Sequence, residues 1–345
     1  MIDCFAHNDE MDKYDFVDSI LLQGKEGKKN PLFTIVIPTF NRSKYIKYAL
    51  DSALAQEFDD FEIVIVENGL GTDGQTCADI IAQYSSDKIR YYRNDQNIGL
   101  CGNWNRASML AQGKYIVMLH DDDMISCKLL TVLYGFLSKH PDVDMVGMKM
   151  QGTAYTEAFD FEDANVKNDI HKITYESLSL TDVYFGNYIG IVGMTYKRSS
   201  LIEYGGFKDK SYPNEDTIFI ANVAKNGNLY RINDEYVLTA YRQLVNLSQS
   251  RETMAEIIVL MHLLRKQSAT NSFLTRLANV GEKFQTNQYI DGAKKYWGIE
   301  IDEKAVMSMC DYDDDSIGFY ERFCVKIASL MYRGKNKLKS RKRVL

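Results

Sequence analysis

LFTIVIPTFNRSKYIKYALDSALAQ, residues Leu32 to Gln56, carries two periodicities in succession. A compact run of β-branched and aromatic residues closes at Pro38 to Phe40, and from Ser43 apolar residues recur at helical spacing, which reads as a strand followed by a helix. The unit repeats downstream. FEIVIVENG (Phe61 to Gly69) reads as a strand, QTCADIIAQYSS (Gln75 to Ser86) as a helix, and KIRYYRND (Lys88 to Asp95) as a third short strand. A second helix pattern, GNWNRASMLAQG, ends at Gly113 and leads into KYIVMLHDDDM, Lys114 to Met124. Strands alternating with helices imply right-handed crossovers and a mainly parallel sheet, an α/β fold whose ligands bind outside the carboxyl ends of the strands.

That rule gathers the chemically interesting residues on one edge. Thr39, Asn41 and Arg42 follow the first strand, Glu67 and Asn68 the second, and Asp121, Asp122 and Asp123 the fourth. Three adjacent carboxylates repel one another, and a divalent cation removes the conflict. Hard oxygen ligands suit Mg2+ or Mn2+, which bind phosphate oxygens as well as one or two carboxylates. A solvated acidic turn is the plainer reading of such a run. A second motif competes: GLGTDG (Gly69 to Gly74) fits G-x-G-x-x-G, follows a strand and has Asp95 about 20 residues on, as in dinucleotide-binding folds. Glu67 and Asn68 separate those glycines from the strand, however, and a nicotinamide enzyme would leave the aspartates without a task.

Composition sets the outer limits. The chain has 345 residues, 45% hydrophobic and 26% charged, enough for a sizeable core. A net charge of −6 speaks against general nucleic-acid binding. The six cysteines are far apart, without a C-x-x-C pair, and read as reduced thiols of a cytosolic protein. The N-terminal residues carry acids where a signal peptide needs a basic segment, and no apolar run approaches the roughly 18 residues of a membrane span.

With these motifs in order, FTIVIPTFNRSKYIKYALDSALAQEFDDFEIVIVENG, then NIGLCGNWNRA, then GKYIVMLHDDDM, the chain resembles the nucleotide-binding half of family 2 glycosyltransferases, which have the GT-A fold. The resemblance runs from about Phe33 to Arg242. It implies that Pro38, Thr39, Asn41 and Arg42 border the nucleotide, that Asn68 contacts the base with Glu67 beside it, and that the segment holding Asn97, Gly99 and Asn103 skirts the ribose and diphosphate. It further implies that Asp121 contacts the ribose, that Asp122 coordinates the metal, Mn2+ or Mg2+, and that Asp123 stands behind it. His120 departs from the pattern, standing where the family commonly has the first acid of its D-x-D signature. The loop that carries Asp73 is about one residue longer than usual.

The resemblance extends into the second half. After KLLTVLYGFLSKHPDVDMVGMKM, a helix and a strand, the pattern is irregular until the turn Gly205-Gly206-Phe207, followed by Asn214, Glu215 and Asp216 at the start of a helix. Acids in a first helical turn suit the helix dipole, and Asn214 reads equally as a plain N-cap. The family makes the residue matching Asp216 the catalytic base, with Glu215 serving the acceptor or the local structure. Arg242 matches a segment that closes the site, whereas Gln243 stands near a position where relatives often have histidine.

Beyond Ser250 helical patterns dominate, and MYRGKNKLKSRKRVL carries seven Lys and Arg with no acid. Behind Phe323, Val325, Ile327, Leu330 and Met331 this tail reads either as a lipid-facing segment on an anionic membrane surface or as a solvated helix end. The expected organisation is an N-terminal extension (1–30), a nucleotide-sugar half (31–125), an acceptor half (126–250) and a helical C-terminal region (251–345). The expected activity is inverting hexosyl transfer from a nucleotide sugar, a UDP-sugar before others, to a hydroxyl of a glycan or lipid-linked saccharide, in the cytoplasm or on the inner face of the membrane. A non-catalytic sugar- or nucleotide-binding module and a sugar-nucleotide pyrophosphorylase are the competing readings. The second would require a glycine-rich loop after the first strand, and PTFNRSKY has no glycine there.

Overall fold

A computed structural model describes residues 3–6, 12–25, 30–70, 76–148, 151–153, 174–186, 189–233, 239–242, 250–269, 272–312, 317–338 and 342–343. Strand β1 (Ser19–Gln23) precedes β2 (Phe33–Thr39), α1 (Ser43–Leu54), β3 (Phe61–Glu67), α2 (Ala78–Ile81), β4 (Ile89–Asn94), α3 (Gly99–Leu110) and β5 (Tyr115–Met118). Strand β6 (Met124–Ile125), α4 (Leu129–Leu137), β7 (Met145–Met148) and β8 (Gln151–Thr153) follow. The middle holds β9 (Thr174–Leu178), α5 (Leu180–Tyr184), β10 (Thr195–Lys197), α6 (Arg198–Glu203), α7 (Glu215–Asn226), β11 (Leu229–Asn233) and β12 (Thr239–Arg242). Helices α8 (Arg251–Ser268), α9 (Phe273–Asn279), α10 (Glu282–Trp297), α11 (Glu303–Met309) and α12 (Phe319–Leu338) then lead to the short β13 (Lys342–Arg343).

Ten strands form one sheet in the order β1-β4-β3-β2-β5-β10-β7-β11-β9-β13, and β6-β12-β8 form a second, small one. The four strands legible in the sequence, β4-β3-β2-β5, are all parallel, as their helical crossovers require. Strand β10 pairs antiparallel with β5 and β7, so the sheet becomes mixed beyond β5. Strands β2 and β3 are buried along their whole length, which explains their unbroken apolar runs. Helix α1 buries Ile46, Ala49, Leu50 and Ala53, the i, i+3, i+4, i+7 stripe that its sequence announced.

The amino end of the parallel strands is locked by buried charge. Glu62 accepts from Thr34 Oγ1 (2.7 Å), Arg90 Nε (2.9 Å) and the backbone N–H of Gln112 (2.7 Å). Arg90 in turn donates to Tyr92 Oη and to the carbonyl of Leu110, at the end of α3. Paired and fully hydrogen-bonded, the ions fix how α3 turns into β5. Gly113 lies in that turn, and a Cβ there would meet the Thr34 nitrogen at 2.6 Å.

Two segments differ from their sequence reading. The helix expected over Gln75 to Ser86 is a single turn, because Gln23 Nε2 takes the carbonyls of Ile81 (3.2 Å) and Tyr84 (3.0 Å) that a longer helix would use. The N-terminal region, polar and unpatterned in sequence, is built into the fold. Strand β1 pairs with β4 as the sheet edge, the backbone of Cys4 bonds the side chains of Gln267 and Asn222, and Lys13 and Tyr14 both bond Asp209.

Helices α8, α10 and α11 share a separate apolar cluster of Met254, Ile258, Ile290, Ala293, Val306, Met307 and Cys310. Helix α12 buries Cys324, Val325, Ala328 and Tyr332, and the Tyr332 hydroxyl donates to Asp182 Oδ1 on α5 at 3.0 Å. Among the described residues no helix is long and apolar enough to cross a membrane.

Candidate active site

The carboxyl ends of β2, β3 and β5 meet the starts of α3 and α7 in one cluster. Strand β5 ends at Met118, and His120 to Asp123 form a tight turn closed by the Asp123 N–H on the His120 carbonyl (3.2 Å) before β6 begins. All three aspartates are buried. Burial and the neighbouring Asp122 push the Asp121 carboxyl up to about 7, against the opposing pull of Arg42 and Thr39. The Arg42 guanidinium is ion-paired with Asp122 and lies 3.9 Å from Asp121 Oδ1. Asn41, with φ of 56°, sets the backbone bend that delivers Arg42 there from the end of β2.

His120 belongs to the cluster too. Its Nδ1 is 3.3 Å from Asp123 Oδ2, its ring stacks on Trp104 with centroids 4.9 Å apart, and its Nε2 is buried without a hydrogen-bond partner among the described residues. Burial by itself would lower the imidazole pKa, but the three carboxylates outweigh it and hold the ring on the protonated side of its usual value. Donor atoms of His120, Asp122 and Asp123 lie within 4.8 Å of one another, close enough to share one cation. An imidazole nitrogen among crowded carboxylates fits a divalent metal, and a mixed nitrogen and oxygen set suits Mn2+ better than Mg2+. The resemblance implies Asp122 as the metal residue; His120, two residues before it, stands within reach of the same point.

The residues expected around the nucleotide divide into two kinds. Pro38 and Thr39 end β2, and Thr39 Oγ1 lies 3.7 Å from Cys77 Sγ. Glu67 is consumed by the protein, accepting from the Cys77 N–H (2.8 Å), Tyr91 Oη (2.5 Å) and Arg93 Nε (2.8 Å). Asn68 donates to Asn97 Oδ1 (2.7 Å) and the Gly99 carbonyl (2.9 Å), and its own Oδ1 accepts from the Ile98 N–H (3.0 Å). Asn94 bridges Asn68 and Asn103, and Asn103 donates to the Val66 carbonyl at 3.1 Å. These side chains form a ladder that fixes the loop after β3 against the start of α3. Asp73 and Gln243 lie outside the described residues.

The second half is docked by α3. Asn105 pairs both its amide groups with the backbone of Phe207, donating to the carbonyl at 2.8 Å and accepting from the N–H at 2.9 Å. Trp104 packs between His120 and Phe207, edge-on to the latter with centroids 5.1 Å apart. One helix therefore links the aspartate turn to the turn that leads into α7. Asn214 occupies the N-cap position of α7, yet its side chain makes no cap and donates instead to the Ile257 carbonyl of α8 (3.1 Å), which corrects the plain N-cap reading.

Glu215 is buried and Asp216 half-buried, both close enough to His120 to feel its charge. Burial, then the Asp216 charge, push the Glu215 carboxyl up to about 8, and its Oε2 has no hydrogen-bond partner among the described residues. Burial also raises Asp216, while the Thr217 N–H (2.6 Å) and hydroxyl (3.2 Å) hold it in place and oppose the rise. Strand β12 pairs Ala240 with Met124, so its chain runs back past the aspartate turn toward Arg242, whose side chain lies outside the described residues.

Comparison with known proteins places this arrangement. Residues 34–186 match the family model described as glycosyl transferase family 2. An Escherichia coli protein named for colanic acid biosynthesis glycosyl transfer, WcaA, is 38% identical over 96 residues, 28% of this chain and 34% of that protein. A Rickettsia bellii glycosyltransferase, also 38% identical, is covered over 15% of its length, so the chain matches only a minor part of these two relatives. The GalNAc(5)-diNAcBac-PP-undecaprenol β-1,3-glucosyltransferase of Campylobacter jejuni is 25% identical over 221 residues, 61% of this chain and 64% of that one. Among solved structures, Staphylococcus aureus TarS 1–349 in complex with UDP-GlcNAc superposes with a TM-score of 0.52 at 16% identity, covering 88% of this chain and 92% of that one. The mannosyltransferase PcManGT of Pyrobaculum calidifontis, in complex with GDP-Man and Mn2+, gives 0.51 at 13% identity, over 92% and 90%. At such identities the structural likeness is one of fold, and that fold is GT-A.

Proposed function

We infer the activity from the premise that residues 34–186 belong to glycosyl transferase family 2. The reading is an inverting transfer of a hexose from a nucleotide sugar to a hydroxyl of a glycan or lipid-linked saccharide, in the assembly of a bacterial surface polysaccharide. The observation that carries it is the meeting of two acidic groups, the buried Asp121 to Asp123 and the buried Glu215 with the half-buried Asp216, at the carboxyl ends of parallel strands. Relatives named for polysaccharide and undecaprenol-linked saccharide synthesis support the acceptor class, and a fold shared with a UDP-GlcNAc complex supports the donor class.

In this reading residues 31–125 hold the donor and residues 126–250 the acceptor, while 251–345 brace the acceptor side and 1–30 complete the sheet edge. Thr39, Asn41, Arg42 and Asp121 border the nucleotide, and Glu67, Asn68, Asn97, Gly99 and Asn103 shape the loop against which it lies. Asp122, with His120 and Asp123, would hold the metal, which neutralises charge gathering on the departing diphosphate. The acceptor oxygen attacks the anomeric carbon as the bond to the phosphate oxygen breaks, so configuration inverts and the nucleoside diphosphate leaves. Asp216 takes the hydroxyl proton, and a carboxyl raised by burial is a better base for it than an exposed one. Glu215, beside it and carrying its own proton, donates a hydrogen bond to the acceptor sugar. The donor is met in the cytoplasm and the acceptor at the inner face of the membrane.

A thermal-shift screen of UDP- and GDP-sugars, with and without Mn2+, followed by detection of the released nucleoside diphosphate, tests the reading. Stabilisation by one nucleotide sugar that deepens with Mn2+ is expected. Binding without turnover on any acceptor glycan would favour a non-catalytic module.

A further inference from the structure

Helix α12 turns two unlike faces to its surroundings. Cys324, Val325, Ala328 and Tyr332 are buried against the rest of the C-terminal region, whereas Phe319 (85% exposed), Phe323 (49%) and Leu330 (54%) stand on the opposite side. At about 100° per residue, Phe319, Phe323, Lys326 and Leu330 fall within roughly 60° of arc, centred away from the buried stripe. The rings of Phe319 and Phe323 stack on each other, with centroids 6.2 Å apart, and leave their outer surfaces to solvent. Lys326 is exposed within that arc and Arg333 is exposed at its border. Its one acid, Glu321, turns back to accept from the Gly318 N–H at 2.9 Å.

We propose that this outward face of α12 is a lipid-binding surface that seats the protein on an anionic bilayer, with Phe319, Phe323 and Leu330 entering the headgroup boundary and Lys326 and Arg333 meeting lipid phosphates. A row of aromatic and aliphatic side chains beside exposed cations matches an interface that is apolar below and negative at its surface. The long stems of lysine and arginine let the charges stay at headgroup depth while the rings sink. A second copy of the chain fits poorly, because a two-fold pairing of this face would set Lys326 and Arg333 against their own counterparts. The seat on lipid rests on the membrane-side acceptor in the reading above, while the test needs neither donor nor turnover.

The full chain is sedimented with phosphatidylcholine vesicles, with and without about one third phosphatidylglycerol, at low and high salt. Binding is expected only to the anionic vesicles, with loss at high salt. The F319S/F323S variant, altered only at exposed positions, should bind about tenfold more weakly, and K326Q/R333Q roughly thirtyfold more weakly. Nucleotide-sugar stabilisation of both variants should match the unaltered chain, which separates this result from failure of the transferase reading. Equal binding to neutral and anionic vesicles, or undiminished binding by either variant, overturns the proposal. So does a dimer in solution that F319S/F323S abolishes while vesicle binding is absent, since the face would then belong to a second copy.

Discussion

The guanidinium of Arg42 lies on the carboxylate of Asp122, so the side chain expected to carry a metal is already neutralised by a cation from the end of β2. Arg42 itself is held charged: burial opposes this, but Asp122 and Asp121 outweigh it. A divalent ion entering at Asp122 competes with that guanidinium for the same oxygens, and a nucleotide diphosphate gives the displaced arginine a new anion. Arg42→Gln should therefore bind Mn2+ alone several-fold more tightly and UDP with Mn2+ at least about tenfold more weakly, a loss of about 1.4 kcal/mol or more. Titration calorimetry reads both. Weaker Mn2+ binding by the variant would mean that the arginine assists the metal and does not compete with it.

The second prediction concerns which metal the site selects. His120 brings an imidazole nitrogen within reach of the same point as Asp122 and Asp123. Mg2+ discriminates against nitrogen ligands more strongly than Mn2+ does. The unaltered chain should bind Mn2+ well ahead of Mg2+, and His120→Asp should narrow that preference by about tenfold. Competition of Mg2+ against the Mn2+ electron spin resonance signal measures it directly, and an unchanged ratio would remove His120 from the ligand set.

Glu67 separates a structural role from a binding one. Three donors converge on its carboxylate from α2's approach and from β4. Removing a buried acceptor of this kind leaves the Cys77 N–H and the Tyr91 hydroxyl without their acceptor and Arg93 with only its 3.2 Å bond to Tyr91 Oη, and costs about 3 kcal/mol. Glu67→Ala should accordingly melt several degrees earlier, while UDP affinity measured below the transition changes by less than about threefold. A variant of normal stability that has lost UDP would return Glu67 to the nucleotide's direct contacts.

Glu215 makes stability depend on pH. Its carboxyl is raised from 4.5 to about 8 by burial first and by Asp216 second. The folded state therefore holds the proton more tightly than the unfolded chain, and the stability this brings is present below pH 4.5 and lost as pH climbs through 8. Glu215→Gln keeps the shape and has no proton to lose. Between pH 5 and pH 9 its unfolding free energy should fall less than that of the unaltered chain, by roughly 3 kcal/mol at the upper end. Parallel pH profiles from denaturant melts would refute the assignment.

What the sequence disclosed follows from what each interaction requires. Strands β2 to β5 and helix α1 were legible because both faces of a parallel sheet must be buried, and burial writes itself as apolar runs and stripes. Strand β1 left no such mark: three of its five residues are exposed, and its partners are the backbone of β4 and the side chain of Asn94. The asparagine ladder was invisible as a ladder, since Asn68, Asn94, Asn97 and Asn103 look like loop amides until β3, β4 and α3 bring them together. Likewise nothing in the spacing of Asn105 and Phe207, 102 residues apart, foretold the two-point contact that docks the halves. Local pattern identified the elements and several polar residues at their ends; long-range packing decided which of those residues serve the scaffold.

The last prediction separates catalysis from helix stabilisation at Asp216. Its carboxylate lies in the first turn of α7, bonded to the Thr217 N–H and hydroxyl, a placement that would also suit an acid that merely favours the helix dipole. As the base it should contribute about 10²–10⁴-fold to the rate, because the acceptor hydroxyl attacks poorly until its proton has a destination. Asp216→Asn keeps the size and both Thr217 contacts within reach but removes the proton acceptor. We expect kcat to fall at least about a hundredfold with UDP and Mn2+ affinity little changed, since the proposed reading puts those ligands on the loops after β2, β3 and β5. A helix-stabilising role predicts instead a loss of about 1 kcal/mol in stability with kcat nearly intact. Single-turnover rate and melting temperature, taken on the same preparation, tell them apart. A variant that melts early but turns over normally would shift the search for the base to Glu215, the buried carboxyl beside it.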